Sequence, residues 1–191
     1  MENIVIKNKN YEVVKELDSG VFLVSQKDKK FALRQFASSE SFNNEIALRK
    51  RLKKLGVNIP KTVKAFKKEL CLLIEYISDE TMLNALLKGD IPDEAFKELF
   101  NIYRFCRFSK VDINYLPENF AMKKGRMYYL ALDLMESSEE KNLENYGLFY
   151  WIYSPQLATH LKELNLEIDK SRLLTQPEAN KKIVLISIMH W

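Results

Sequence analysis

Glycine, proline, cysteine and histidine are all scarce in this sequence. Its 191 residues include 5 glycines, 5 prolines, 2 cysteines and 2 histidines. Collagen-like and low-complexity chains need many more glycines and prolines, so both are excluded. The two cysteines, Cys71 and Cys106, each lie among apolar residues. Their number excludes a disulfide scaffold, and a zinc site would lack partners. They read as buried free thiols in a reducing compartment. His160 and His190 have no Ser or Cys nucleophile pattern nearby, which argues against a histidine-based hydrolase. No apolar run approaches the ~18 residues of a membrane span, and the N-terminal stretch has none of signal-peptide length. The expectation is a soluble, cytoplasmic protein with no membrane span.

Hydrophobic residues make up 47% and charged residues 29%, which is the composition of a folded chain and not of a disordered one. The length suits one domain, or two small lobes. Thirty Lys and Arg against 26 Asp and Glu give a net charge of +4. That mild excess admits an anionic ligand and carries no specific nucleic-acid signal. The densest basic cluster, Arg49 to Lys54, has the spacing of the wet face of an amphipathic helix.

The first part of the chain alternates in short β-like runs. Tyr11 to Leu17, Val21 to Ser25 and Lys30 to Phe36 read as three antiparallel strands, with Asp18-Ser19-Gly20 as the first turn. Ser38 and Ser39 offer N-caps, and Phe42, Ile46, Leu48, Leu52 and Leu55 recur as one face of a helix over 39–55. Thr62 to Phe66 and Leu70 to Tyr76 read as a second hairpin. Its Leu70 to Ile74 stretch is apolar on both faces, which places that strand centrally. Helices are expected over Asp79 to Leu87, Pro92 to Phe108, Asn145 to Ile152 and Leu157 to Leu164, with a small hairpin over 121–133. The tail, Ile183 to Ile188, reads as an apolar strand or helix. The fold class is therefore α+β and two-lobed. One lobe, 1–77, is an antiparallel sheet with one helix; the other, 78–191, is mainly helical.

Several segments, in this order, resemble parts of the protein-kinase-like fold in a compact form. Asp18-Ser19-Gly20 stands between two strands, where that family places its glycine-rich phosphate loop, although only Gly20 of the usual three glycines is present. Phe31 to Phe36 is similar to the strand carrying the ATP-orienting lysine, with Arg34 at that position. Glu45, on the following helix, matches the glutamate that pairs with it. Leu73 to Ile77 resembles the hinge that bonds the adenine edge, through the C=O of Glu75 and the N–H of Ile77. Ser78 to Thr81 then fits the cap of the next helix. Pro117-Glu118-Asn119 resembles the end of the catalytic loop, and Asp133, after the small hairpin, resembles the metal-binding aspartate. An amide oxygen and a carboxylate are the hard ligands that Mg²⁺ needs.

The usual position of the catalytic base, five residues before Asn119, holds Asn114, and an amide does not accept a proton as a carboxylate does. Asp112 is then the candidate base, if the loop carries a two-residue insertion. The short chain after Asp133 matches the lean C-lobes of RIO-like, tRNA-modification-associated and lipopolysaccharide-sugar kinases. The resemblance implies an ATP- and Mg²⁺-dependent phosphotransferase. Its nucleotide contacts would be Gly20, Arg34, Glu45, Glu75 and Ile77, its metal ligands Asn119 and Asp133, and its base Asp112. The acceptor would be a hydroxyl of a protein Ser/Thr or of an envelope glycolipid sugar. The alternative is a pseudokinase, a nucleotide-binding or regulatory module, to which the missing glycines, Arg34 and Asn114 point.

Overall fold

The computed structural model describes residues 3–77, 80–89 and 91–191. The chain is α+β and divides into two units, Met1–Arg51 with Ile59–Ile77, and Leu52–Asn58 with Ser78–Trp191.

The first unit is built on a six-stranded antiparallel sheet. Its strands are β1 (Asn3–Ile6), β2 (Lys9–Asp18), β3 (Val21–Gln26), β4 (Lys29–Gln35), β5 (Thr62–Phe66) and β6 (Cys71–Glu75). The spatial order is β1-β2-β3-β4-β6-β5. Helix α1 (Ser39–Lys54) connects β4 to the last hairpin. Tight turns close the first hairpins because pairs of residues adopt left-handed backbone: Lys7 with Asn8, and Lys27 with Asp28. Asn and Asp tolerate that region better than most residues.

β6 lies between β4 and β5, the interior position that its two-sided apolar run predicts. Its side chains alternate between two cores. Cys71 and Leu73 join Ile6, Tyr11, Val24, Leu33 and Phe66 on one side. Leu72 and Ile74 meet Phe42, with Phe36 and Ile46 packed against them, on the other. Strand β1 was not anticipated. It is four residues long, and only Ile6 is buried, so its sequence carries little of a strand's alternation.

The second unit is mainly helical, with α2 (Met82–Lys88), α3 (Asp93–Phe108), α4 (Pro155–Glu163) and α5 (Gln176–His190). Thr81 caps α2 by accepting from the Asn84 N–H, and Ser154 caps α4 by accepting from the Leu157 N–H. Ser78 and Asp79, expected in the first of these caps, lie outside the described residues. Helix α3 buries a broad apolar face, including Phe96, Leu99, Phe100 and Tyr103.

Two small sheets complete the unit. β7 (Val111–Asp112) pairs with β10 (Met135–Glu136), and β8 (Phe120–Lys123) pairs with β9 (Arg126–Tyr129). Three expectations change here. The Asn145 to Ile152 segment forms a short 3-10 turn over Gly147–Trp151 and not a full helix. Strand β9 stops at Tyr129 and does not run on to Leu132. The apolar tail is the second half of a helix that begins at Gln176, set there by a Thr175/Glu178 capping box. Among the described residues, no helix is long and apolar enough to cross a membrane.

Candidate functional site

In the first unit, α1 turns Glu45 toward β4. Arg34 Nε lies 2.8 Å from Glu45 Oε2. A second guanidinium meets the same carboxylate: Arg49, one turn further along α1, places Nε 2.9 Å from Oε1. Arg49 also donates to the Pro60 C=O at 3.0 Å. Glu45 is 8% exposed, an unusual setting for a carboxylate, and the two arginines account for it. Burial pushes the Arg49 guanidinium down from its ordinary value, and Glu45 opposes that shift. The reading of Arg49 as part of a solvated basic face is thus corrected: spacing alone does not reveal a partner at i−4 that is itself buried.

Gly20 occupies the β2–β3 turn with φ +69, a left-handed conformation suited to glycine. Its C=O accepts from the Gln35 N–H at 2.8 Å, continuing the β3–β4 pairing. The turn is tied at its other side by Asp18, whose carboxylate accepts from the Ser19 N–H at 2.8 Å. The hairpin therefore explains the glycine without a ligand. Glu75 ends β6, opposite Phe31 of β4, and donates its N–H to the Lys61 C=O at 2.8 Å. Ile77 follows two residues later.

In the second unit, the loop after β7 gathers the remaining candidates. Asp133 Oδ1 accepts from the Asn114 N–H at 3.1 Å and from the Tyr129 hydroxyl. The Tyr129 oxygen in turn accepts from the same Asn114 N–H, at 3.1 Å. The Asn119 amide donates to the Asn114 C=O at 3.4 Å. Asn119 and Asp133 therefore both touch residue 114. Asn114 folds its own side chain back, with Oδ1 accepting from the Leu116 N–H at 3.2 Å.

Two backbone features aim the carboxylate of Asp133. Leu130, just past β9, donates its N–H to the Asn119 C=O at 2.8 Å. Leu132 then takes φ +59, left-handed backbone that costs a leucine roughly 1–2 kcal/mol. Such strain tends to be kept where a neighbouring side chain must point somewhere particular. Asp133 thus stands beyond the strand and not at its end. Burial, and then the Asp133 carboxylate, push the Tyr129 hydroxyl well above the usual tyrosine range, so it stays a donor.

Asp112 sits elsewhere. It is 1% exposed, and both oxygens are taken: Oδ1 accepts from the Tyr115 hydroxyl at 3.0 Å and Oδ2 from the Ser138 N–H at 3.1 Å. Tyr115 is fixed from its other end, its C=O accepting from the Trp151 indole at 2.6 Å. A base must come within about 2.6–3.2 Å of the proton it takes. The enclosed Asp112 carboxylate instead ties the loop after β7 to the segment after β10. This enclosure argues against Asp112 as the base. Motif spacing gave no sign of burial, because Val111-Asp112-Ile113 reads equally well as an exposed loop.

Two further groups escaped the sequence reading. Tyr129 lies within the hairpin expected over 121–133, and its hydroxyl faces Asp133. Glu118, beside Asn119, places Oε1 2.7 Å from His160 Nε2 on α4, while its Oε2 is buried with no partner among the described residues. That contact ties the 3-10 turn Pro117–Asn119 to the helix.

Asn119 and Asp133 each carry a hard oxygen of the kind Mg²⁺ takes, and Mg²⁺ commonly uses one or two protein ligands beside phosphates and water; among the described residues no group of three or more His, Cys, Asp or Glu side chains is placed to hold a metal ion. Oδ2 of Asp133 has no hydrogen-bond partner among the described residues. Two cavities lie away from these groups. One of about 800 Å³ borders the β1–β2 and β3–β4 turns, near Asn8, Asn10, Lys27 and Lys29. The other, about 200 Å³, is an open pocket bordered by Leu86, Phe96, Trp151, Tyr153 and Ile186. Neither is lined by a sequence-predicted site residue. No family model matches the sequence, and no curated protein does.

Proposed function

We propose that this protein is a Mg²⁺- and ATP-dependent phosphotransferase of the protein-kinase-like fold, acting on a hydroxyl of a protein Ser/Thr or an envelope sugar. The observation that carries the reading is the convergence of Asn119 and Asp133 on Asn114, next to the strained Leu132. The Arg34–Glu45 pair, linking a strand to the helix that follows it, supports it from the first unit.

Each residue then has a physical task. Arg34 meets phosphate oxygens with its fixed charge, while Glu45 holds it in place. The Glu75 C=O and the Ile77 N–H face the adenine edge. Gly20 gives the β2–β3 turn close backbone approach. Asn119 and Asp133 hold the metal, and Tyr129 fixes which Asp133 oxygen remains open. Bound Mg²⁺ supplies charge neutralisation at the phosphate oxygens. No carboxylate stands at the base position, and a loose, metaphosphate-like transition state asks little of one. Slow turnover is the expected result.

A second reading, a pseudokinase that binds nucleotide without transfer, is favoured by the enclosed Asp112 and by Asn114 at the base position. Purified protein is incubated with Mg-ATP labelled in the γ-phosphate, alone and with Ser/Thr peptides or envelope glycolipid. Incorporation that is absent in Asp133→Asn supports transfer. Mg²⁺-dependent binding without incorporation supports the module. No binding of Mg-ATP contradicts both.

A further inference from the structure

The charge excess of the chain is unevenly placed. The first unit holds 14 of the 30 Lys and Arg but only 9 of the 26 Asp and Glu. It is net basic, while the second unit is close to neutral. Such asymmetry points to an anionic partner for the basic part.

Part of the excess surrounds the cleft of about 800 Å³ between the β1–β2 and β3–β4 turns. That volume lies within the ~300–1,000 Å³ of ordinary ligand sites. Left-handed residue pairs close both turns, and the Gln26 amide donates to the Asn10 C=O at 3.3 Å, bracing one turn against the other. Three exposed cations, Lys9, Lys27 and Lys29, stand around the cleft. Among the described residues, none of the three is engaged in an ion pair. The walls add the amides of Asn8 and Asn10, the carboxylates of Glu12 and Asp28, and one half-buried ring, Phe31.

This mixture selects among anionic partners. A small anion or a lipid headgroup would meet the lysines and be repelled by Glu12 and Asp28. A nucleotide answers every group: phosphates take the lysines, base edges offer donors and acceptors to the carboxylates and amides, and a base face stacks on a ring. The cations also continue past the cleft. Lys7, beside Asn8 in the same turn, and Lys64 on β5 both lie over the Phe66 ring, 5.9 and 5.1 Å from its centroid. Cations that run on beyond one nucleotide fit a strand better than a mononucleotide. A duplex keeps its bases stacked on one another and leaves Phe31 without a partner.

We propose that the cleft between the β1–β2 and β3–β4 turns binds single-stranded nucleic acid. Lys9, Lys27 and Lys29 meet its phosphates, one base stacks on Phe31, and Asn8, Asn10, Glu12 and Asp28 meet base edges. The inference is independent of the proposed phosphotransfer, since no residue assigned to that site lines the cleft.

The test is fluorescence anisotropy of the full chain with labelled RNA and DNA single strands of about ten nucleotides, within the site sizes of single-strand binders. The matching duplex is measured beside them. Single strands are expected to bind, and more weakly as salt rises. Lys27→Gln/Lys29→Gln lowers the slope of log affinity against log salt by about 1.4, or ~0.7 for each lost phosphate contact. Phe31→Leu keeps apolar bulk against the core and weakens binding roughly tenfold. Circular dichroism is unchanged in both variants. No binding at low salt, duplex binding as tight as that of the single strands, or a slope unchanged in the lysine variant overturns the proposal. Affinity untouched by Phe31→Leu overturns it in favour of a plain polyanion surface. Displacement by an equal concentration of AMP overturns it in favour of a mononucleotide site.

Discussion

Glu45 holds two guanidinium groups, and only one of them reaches water. Arg34 is 39% exposed, whereas Arg49 is buried. Removing the carboxylate leaves Arg49 as an uncompensated buried charge. Glu45→Ala is therefore expected to cost about 3–5 kcal/mol, read as a fall in the urea midpoint. Arg34→Ala removes a partly screened partner and is expected to cost about 0–1 kcal/mol, while weakening Mg-ATP binding. Equal losses of stability in the two variants would contradict this division of roles. Asp112 is a structural carboxylate by the same logic. Asp112→Asn places an amide donor where one of the Tyr115 and Ser138 donors needs an acceptor, so a loss of about 1–3 kcal/mol is expected. Nucleotide binding by the folded variant stays intact; selective loss of binding at unchanged stability would restore the active-site role of Asp112. The thiols supply a pH test. Burial pushes Cys71 and Cys106 each up to about 11 from an ordinary value near 9. A folded-state value that is raised contributes stability in full below the unfolded value, and loses it as pH climbs to the folded one. Unfolding free energy is thus expected to fall between pH 9 and 11, and less so in Cys106→Ala, compared with that variant's own value at pH 7. Arg49, Asp112 and Tyr129 share one reason for escaping the sequence reading: burial and partners decide their roles, and neither is written into local spacing.

Elements were legible where a periodic pattern met a clear stop signal. The three meander strands, α1 and α3 fall within a residue or two of their expected bounds, because turn residues and caps mark them. The Asn145 to Ile152 segment misled because its dense aromatics look like a helix face. Those aromatics are instead used on several sides: Trp151 bonds the Tyr115 C=O, and Tyr150 packs edge-on to His160. The two-residue strands β7 and β10 carry too few side chains for any pattern, yet they hold the loop that bears Asn114. Gly147 reports on that loop. A Cβ there would lie 2.7 Å from the Tyr115 Cβ and 3.1 Å from Leu143 Cδ1. Gly147→Ala is expected to cost about 1–3 kcal/mol by overpacking and to displace Tyr115 from Asp112. Thermal unfolding measures the first effect and tyrosine fluorescence the second. A variant as stable as the wild type would show that the 3-10 turn yields freely.

At the scale of the whole molecule, scarcity of glycine has a definite structural meaning. Gly20 is accounted for by its hairpin, through its left-handed backbone and the Gln35 N–H that its C=O accepts. The α+β class and the strand-then-helix order were readable from composition and period alone. The candidate site was readable only as motif fragments, and its residues fall in two local clusters, Arg34 with Glu45 and Asn114 with Asn119 and Asp133. The central claim is that Asp133 holds a nucleotide-bound metal. At a Mg-ATP concentration ten times the dissociation constant, binding stabilises the fold by about 1.4 kcal/mol. For a chain of this length that raises the melting temperature by about 3–6 °C. The measurement is thermal unfolding of the wild type and Asp133→Asn, with ATP, in Mg²⁺ and in EDTA. A shift in the wild type that requires Mg²⁺ and vanishes in Asp133→Asn is the predicted result. The same shift in both proteins, or none in the wild type at millimolar Mg-ATP, would contradict the account.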